Sequence, residues 1–168
     1  AYGVGPRGAY AERRNIPAGR AVKLPKAIGD EMAAGMMLKG LTVRMLLRAV
    51  YKVKRGDTVL FHAAAGGVGS LLIQLAKRAG AKTVIAAASS ASKLDLTRTL
   101  GADFGVDYTR PDWIDSVRAA SGGAGPDIIY ESVGGDITKA CLAALGPGGE
   151  LVIYGALNIQ GFTFGVPE

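Results

Sequence analysis

Four times after residue 55 the chain follows a short apolar run with a helical period, and a fifth apolar run closes the series. TVLFH (58–62) precedes a helix expected near 67–79, and KTVIAAA (82–88) one near 91–100. DFGVDY (103–108) precedes one near 112–120, DIIYESV (127–133) one near 136–145, and ELVIYG (150–155) comes last. Runs with little polar alternation suit strands buried on both faces, and strands alternating with helices pair in parallel through right-handed crossovers. The expectation is a doubly wound α/β fold with a parallel sheet of about five to six strands.

The breakers agree with these boundaries. RAGAK (78–82), TLGAD (99–103) and LGPGGE (145–150) place Gly where a helix is expected to stop in a left-handed conformation. Pro111 and Pro147 fall in turns, and Thr109 or Asp112 is expected to cap the helix near 112. The first third differs. GAYAERRNIPAGRAVKLP (8–25) reads as two short extended pieces around a turn, with Pro17, Gly19 and Pro25 as breakers. A helical stretch follows from about Asp30 to Tyr51, carrying Met36, Met37, Leu41, Leu46 and Leu47 and broken by Gly40. Residues 1–25 are read as the end of a second lobe, and 26–168 as the α/β domain.

Composition excludes several classes. With 168 residues, 49% apolar and 20% charged, the chain is made like a folded domain and unlike a disordered one. Lys, Arg, Asp or Gly interrupts each apolar run before the roughly eighteen residues of a membrane span, so no membrane insertion is expected. AYGVGPRGAY has neither a basic start leading into an apolar segment nor a small-residue cleavage site, and no secretion signal is read there. Cys141, the only cysteine, leaves no intrachain disulfide and no all-cysteine metal site; a reducing, cytoplasmic setting and no metal are expected. The net charge of +6 is uneven, because residues 1–55 hold 12 Lys and Arg against 3 acids and the remainder 8 against 11. Such a basic segment is a solvated face, a surface that meets another lobe, or a phosphate-binding surface.

A strand ending near Phe61 or His62 and a helix starting near Gly67 leave AAAGGVG (63–69) as a turn too tight for side chains beyond a methyl group. Gly66 and Gly69 have the spacing of the second and third glycines of the dinucleotide fingerprint, with Ala64 in place of the first. Gly66 would let the backbone approach a pyrophosphate, Gly69 would let helix and strand pack closely, and free amides at a positive helix end would face the phosphates. The alternative is a purely structural turn. The end of the second strand selects the dinucleotide. AAASSASK (86–93) has no acid for the ribose hydroxyls of NAD, whereas Ser89, Ser90 and Lys93 offer hydroxyls and a cation to the 2′-phosphate of NADP. Read otherwise, Lys93 is an exposed helix residue.

The run from Gly56 through AAGGVG (64–69) to Gln74 and Lys77 resembles the signature of the zeta-crystallin type quinone oxidoreductases, a zinc-free branch of the medium-chain dehydrogenase/reductase superfamily. GAYAERR (8–14), LKGLTVRMLLR (38–48), VDY (106–108) and YESVGGD (130–136) resemble the same family in the same order. The resemblance implies a Rossmann-type NADP-binding domain, with residues 1–25 the remnant of a GroES-like catalytic lobe. It also implies NADPH-dependent reduction of a quinone or conjugated carbonyl in a cleft between two lobes of a dimer. By position it puts Gly66, Gly67 and Val68 at the pyrophosphate and Ser89, Ser90 and Lys93 at the 2′-phosphate. Tyr108 falls along the adenosine half, and Thr42 and Ser132 near the pyrophosphate or nicotinamide ribose. Tyr154, Gly155, Ala156 and Leu157 would wall the nicotinamide, and Arg44 and Met45 stand where relatives often have aromatics near that ring.

Each position has a plainer reading. Tyr108 or Tyr154 would be a core aromatic with a wet hydroxyl, Thr42 a helix residue bonding its own backbone, and Ser132 a strand-end turn former. His62, the sole histidine, reads as a strand-end residue with a satisfied ring, and Cys141 as packing. No side chain reads as a nucleophile or paired acid, and no catalytic residue is assigned. Two other functions fit the same chain: the cofactor domain of a zinc-type alcohol dehydrogenase of the same superfamily, and an RNA-binding module using Arg13, Arg14, Lys52, Lys54 and Arg55. Against the second, aromatics for stacking are sparse there.

Overall fold

A computed structural model describes Gly8 and residues 10–155. Five strands, β1 (Thr58–Phe61), β2 (Thr83–Ala88), β3 (Phe104–Asp107), β4 (Ile128–Glu131) and β5 (Glu150–Ile153), form one parallel sheet in the order β3-β2-β1-β4-β5. The helices are α1 (Asp30–Met45), α2 (Gly69–Ala79), α3 (Ala91–Thr99), α4 (Trp113–Ala120) and α5 (Asp136–Ala144). This is the Rossmann order, with the reversal between β1 and β4.

Two cores follow from the alternation of side chains along each strand. On one face Val59, Phe61, Val84, Ala86, Ile128 and Tyr130 pack with Leu72, Ile73 and Ala76 of α2 and Val43 of α1. On the other, Leu60, Ile85, Ala87, Val106 and Ile129 pack with Trp113 and Val117 of α4 and Cys141 and Ala144 of α5. Tyr130 ties α1 to the sheet: its ring stacks on Phe61 at 5.3 Å, and its hydroxyl lies 3.3 Å from the carbonyls of Leu46 and Tyr51. Those carbonyls bracket a π-helical turn, Leu46–Val50, that ends the helix.

Helix ends follow the glycines in part. Gly80 (φ +94°) and Gly101 (φ +104°) are left-handed after α2 and α3 as expected. After α5 the left-handed residue is Gly148, because Leu145 already leaves the helix extended. Gly146 serves instead for close approach: a Cβ there would lie 2.9 Å from the carbonyl oxygen of Ala124. Gly125 and Gly149 belong to the same contact, with a Cβ at Gly125 reaching 2.5 Å from the amide nitrogen of Gly146 and one at Gly149 reaching 2.8 Å from Pro126 O.

In the described part of 8–25 the turn is a 3-10 turn at Ala18–Arg20, with extended backbone at Pro17 before it and at Ala21 after it, and no residue there pairs into a strand. Other expectations are corrected. Gly40 does not break α1, which runs through it with Val43 and Leu46 held in the core. Neither Thr109 nor Asp112 caps α4 with its side chain; Asp112 pairs with Arg110 at 3.0 Å and the Thr109 hydroxyl donates to Asp107.

Candidate functional site

Because all five strands are parallel, the loops after their C-terminal ends share one edge of the sheet. The loop after β1 is the glycine turn, and α2 begins at Gly69, two residues later than its sequence suggests. Phe61 pairs with Ala86 on one side and Tyr130 on the other, so the turn emerges over the middle of the sheet. Ala63 takes a left-handed backbone (φ +48°), the single non-glycine residue to do so among those described, and Gly66 N–H closes the turn onto Ala63 O at 2.9 Å.

Neither Gly66 nor Gly69 has room for a side chain. A Cβ at Gly66 would lie 3.0 Å from Ala63 O, and one at Gly69 would lie 2.6 Å from both Cα and O of Ala64. The N–H groups of Gly67, Val68 and Gly69 donate to no acceptor among the described residues. Free amides at the positive end of an eleven-residue helix, with no side chain on Gly66, Gly67 or Gly69, form a cradle for an anionic group.

At the end of β2, Lys93 Nζ donates to Ser89 Oγ at 3.1 Å, and Ser90 Oγ lies 3.3 Å from Ser92 Oγ. These side chains, Lys93 and Ser92 exposed and Ser89 and Ser90 half-buried, make a second polar cluster on the same edge, with a cation and three hydroxyls and no acid among their partners. Ser92 was missed in the sequence, although its two-residue spacing from Ser90 was visible. Tyr108 follows β3; its N–H donates to Ala88 O at 3.3 Å, which sets it beside Ser89. Its half-buried ring lies 5.7 Å from the His62 ring.

His62 corrects an expectation. Its ring is fully buried against Trp113, 5.2 Å away and edge-on, and neither nitrogen has a hydrogen-bond partner. Burial pulls its pKa from the ordinary 6.5 to about 4, against a weaker opposite pull from the Glu131 carboxylate. A ring so held is neutral near pH 7. Cys141 is packing, as its pattern suggests, and burial pushes its thiol up, so it presents no thiolate.

The loop after β4 is set by a residue the sequence did not single out. Glu131 is fully buried, and its carboxylate accepts hydrogen bonds from Val133 N–H, from Gly134 N–H at 3.0 Å and from Thr138 Oγ1 at 2.7 Å. It folds residues 132–135 back onto the start of α5. Ser132 is thereby pressed against the end of β5, where a Cβ at Gly155 would come 3.1 Å from Ser132 Cβ. Tyr154 N–H donates to Glu131 O at 2.9 Å, and burial raises the Tyr154 phenol. Ser132, Tyr154 and Gly155 are therefore brought together, while Ala156 and Leu157 lie outside the described residues.

Three of the residues singled out, Thr42, Arg44 and Met45, lie on α1. Thr42 Oγ1 donates to Leu38 O at 2.9 Å, so its proton is used inside its own helix. Arg44 lines a cleft of about 420 Å³ with Arg48, Leu75 and Arg78, against the half of α2 farthest from the glycine turn, and Met45 is exposed. Among the described residues no group of His, Cys, Asp or Glu could hold a metal ion, and no helix is long and apolar enough to cross a membrane.

Comparison with known proteins agrees with this geometry. The profile of the zinc-binding dehydrogenase family matches residues 67–166. The chain is 41% identical over 152 residues to a 2-haloacrylate reductase of a Burkholderia species, covering 89% of this chain and 45% of that protein. It is 41% identical over 166 residues to a quinone oxidoreductase of Pseudomonas aeruginosa, covering 99% and 50%. It also superposes, with a TM-score of 0.80 and 39% identity over 89% of its length and 45% of the other chain, on Escherichia coli quinone oxidoreductase solved with NADPH. The chain spans about half the length of the curated relatives it matches. With this fold and this turn, it belongs to the zinc-binding dehydrogenase family, and its similarity to quinone oxidoreductases runs through nearly all of its length.

Proposed function

We propose that this chain is the NADPH-binding half of a reductase acting on a quinone or another conjugated carbonyl. The observation that carries the reading is the pairing of two sites on one sheet edge: the amide cradle at Gly66–Gly69 and the Ser89–Lys93 pair, with no acid among that pair's partners. Gly66, Gly67, Val68 and Gly69 would hold the pyrophosphate, Ser89, Ser90 and Lys93 the 2′-phosphate, and Tyr108 the adenosine half. Ser132, Tyr154 and Gly155, with Ala156 and Leu157 beyond them, would wall the nicotinamide, which when bound supplies a hydride. This chain's part is to bind, orient and exclude water; the neutral His62 and the raised Cys141 thiol take no part in proton transfer or covalent chemistry. Residues 1–25 are read as the end of a second lobe. A homo-oligomer in a cytoplasmic setting is inferred, with the outer edge of β5, unpaired among the described residues, toward a second copy. The RNA-binding alternative, on Arg13, Arg14, Lys52, Lys54 and Arg55, is not favoured by the relatives the chain matches.

Calorimetric titration of the chain with NADPH and NADH tests the reading. NADPH is expected to bind more tightly, and Lys93→Ala to weaken NADPH by about thirtyfold, as for loss of a charge-assisted contact to phosphate, while leaving NADH unchanged. Equal affinity for both nucleotides in the unsubstituted chain removes the 2′-phosphate assignment, and binding of neither removes the cofactor reading.

A further inference from the structure

A Cβ built on Gly67 would lie 2.7 Å from Cε, 2.9 Å from Cδ and 3.1 Å from Nζ of Lys39. The lysine stem therefore runs directly over the glycine turn, although Lys39 sits on a different helix and 28 positions earlier in the chain. Its placement is built in. Lys39 and Val43 share a face of α1 by their four-residue spacing, Val43 is fully buried in the core that α1 shares with α2, and Tyr130 anchors the end of the helix.

The charge so placed is exposed to solvent and has no protein partner among the described residues. Lys39 makes no ion pair or hydrogen bond among the described residues, and it stands at the end of α2 where the helix dipole is positive and three amides are unbonded. A cation beside a positive helix end is unfavourable unless an anion lies between them. Thr42, the α1 residue that family resemblance puts near the pyrophosphate, has spent its hydroxyl proton on Leu38 O. We infer that Lys39 is the α1 ligand of the cofactor pyrophosphate, closing over phosphates seated on the amides of Gly67, Val68 and Gly69. The inference rests on the cofactor reading above. It adds a contact common to NADPH and NADH, distinct from the Lys93 contact that only the 2′-phosphate can use.

That distinction supplies the test. Lys39→Met keeps a stem over Gly67 and removes the charge. Titrations of this variant are expected to show NADPH and NADH each weakened about tenfold, with adenosine 2′-monophosphate, which has no pyrophosphate, unaffected. Lys39→Arg, keeping the charge, is expected to restore most of the affinity for both dinucleotides, and both variants should melt as the unsubstituted chain does. If Lys39→Met binds NADPH and NADH like the unsubstituted chain, or loses adenosine 2′-monophosphate in equal measure, the inference fails while the cofactor reading stands. If the unsubstituted chain binds none of the three, both fall.

Discussion

Gly69→Ala is expected to lower the melting temperature by about 10 °C, from a loss of about 3 kcal/mol in a domain of this size. The reason is where the methyl group would go: 2.6 Å from Cα and O of Ala64 and 2.7 Å from Ala63 O, all backbone atoms of the turn just before the helix. No side chain can swing aside to relieve this contact. Either α2 moves away from β1, opening the core around Leu72 and Ile73, or the turn deforms at Ala63, which already holds a left-handed backbone. Both routes displace the free amides, so NADPH binding should fall as well. Gly67→Ala is the informative partner. Its methyl would meet only the flexible end of Lys39, so melting should stay within about 2 °C, as for ordinary surface changes, while NADPH affinity drops. Equal melting of Gly69→Ala and the unsubstituted chain would mean that helix and strand are not packed as described.

The second large effect is acid lability. His62 titrates near its ordinary 6.5 in the unfolded chain and at about 4 in the fold, so between those values the unfolded state binds the extra proton. Its contribution is fully present above pH 6.5 and is lost as pH falls toward 4, amounting to about 3 kcal/mol for a shift of this size. Carboxylates titrate in the lower part of the same window, so a variant is needed to isolate the ring. His62→Leu has similar volume, cannot be protonated and removes two buried nitrogens that have no partner. Urea unfolding at pH 7 and pH 4.5 should find the variant the more stable of the two chains at both values, with a clearly smaller loss on acidification. Parallel losses in the two chains would refute the assignment.

How much of this was legible in the sequence differs element by element. The strands and their following helices could be read because both faces of the sheet are covered, which makes VLF, VIAAA and IIY unbroken apolar runs. The glycine turn could be read because its geometry is local. His62 was misjudged for the opposite reason: a polar residue ending an apolar strand reads as one that finds a partner, and only packing reveals Trp113 and Tyr108 filling the space around it. Glu131 looked like one more strand-end acid until α5 brought Thr138 to it. Lys39 reads as a solvated helix lysine, and no pattern along α1 tells that α2 begins beside it. Thr42, one turn away, was singled out by resemblance, and the i, i+3 neighbour of such a residue was the signal available.

The glycines at the opposite edge of the sheet constrain how this protein can change over generations. Gly125, Gly146 and Gly149 bring the loop after α4 and the loop after α5 together backbone against backbone, while Gly146 N–H and Glu150 N–H donate to Pro126 O and Asp127 O. A single-residue replacement at any of the three drives a carbon into main chain at 2.5–2.9 Å, and reverting or altering one neighbour does not clear it. The loops are thus locked into joint inheritance: a lineage can remodel them only by changing both at once. At the other edge Lys93 is exposed and Ser89 and Ser90 are half-buried, so a change there alters one side chain at a time.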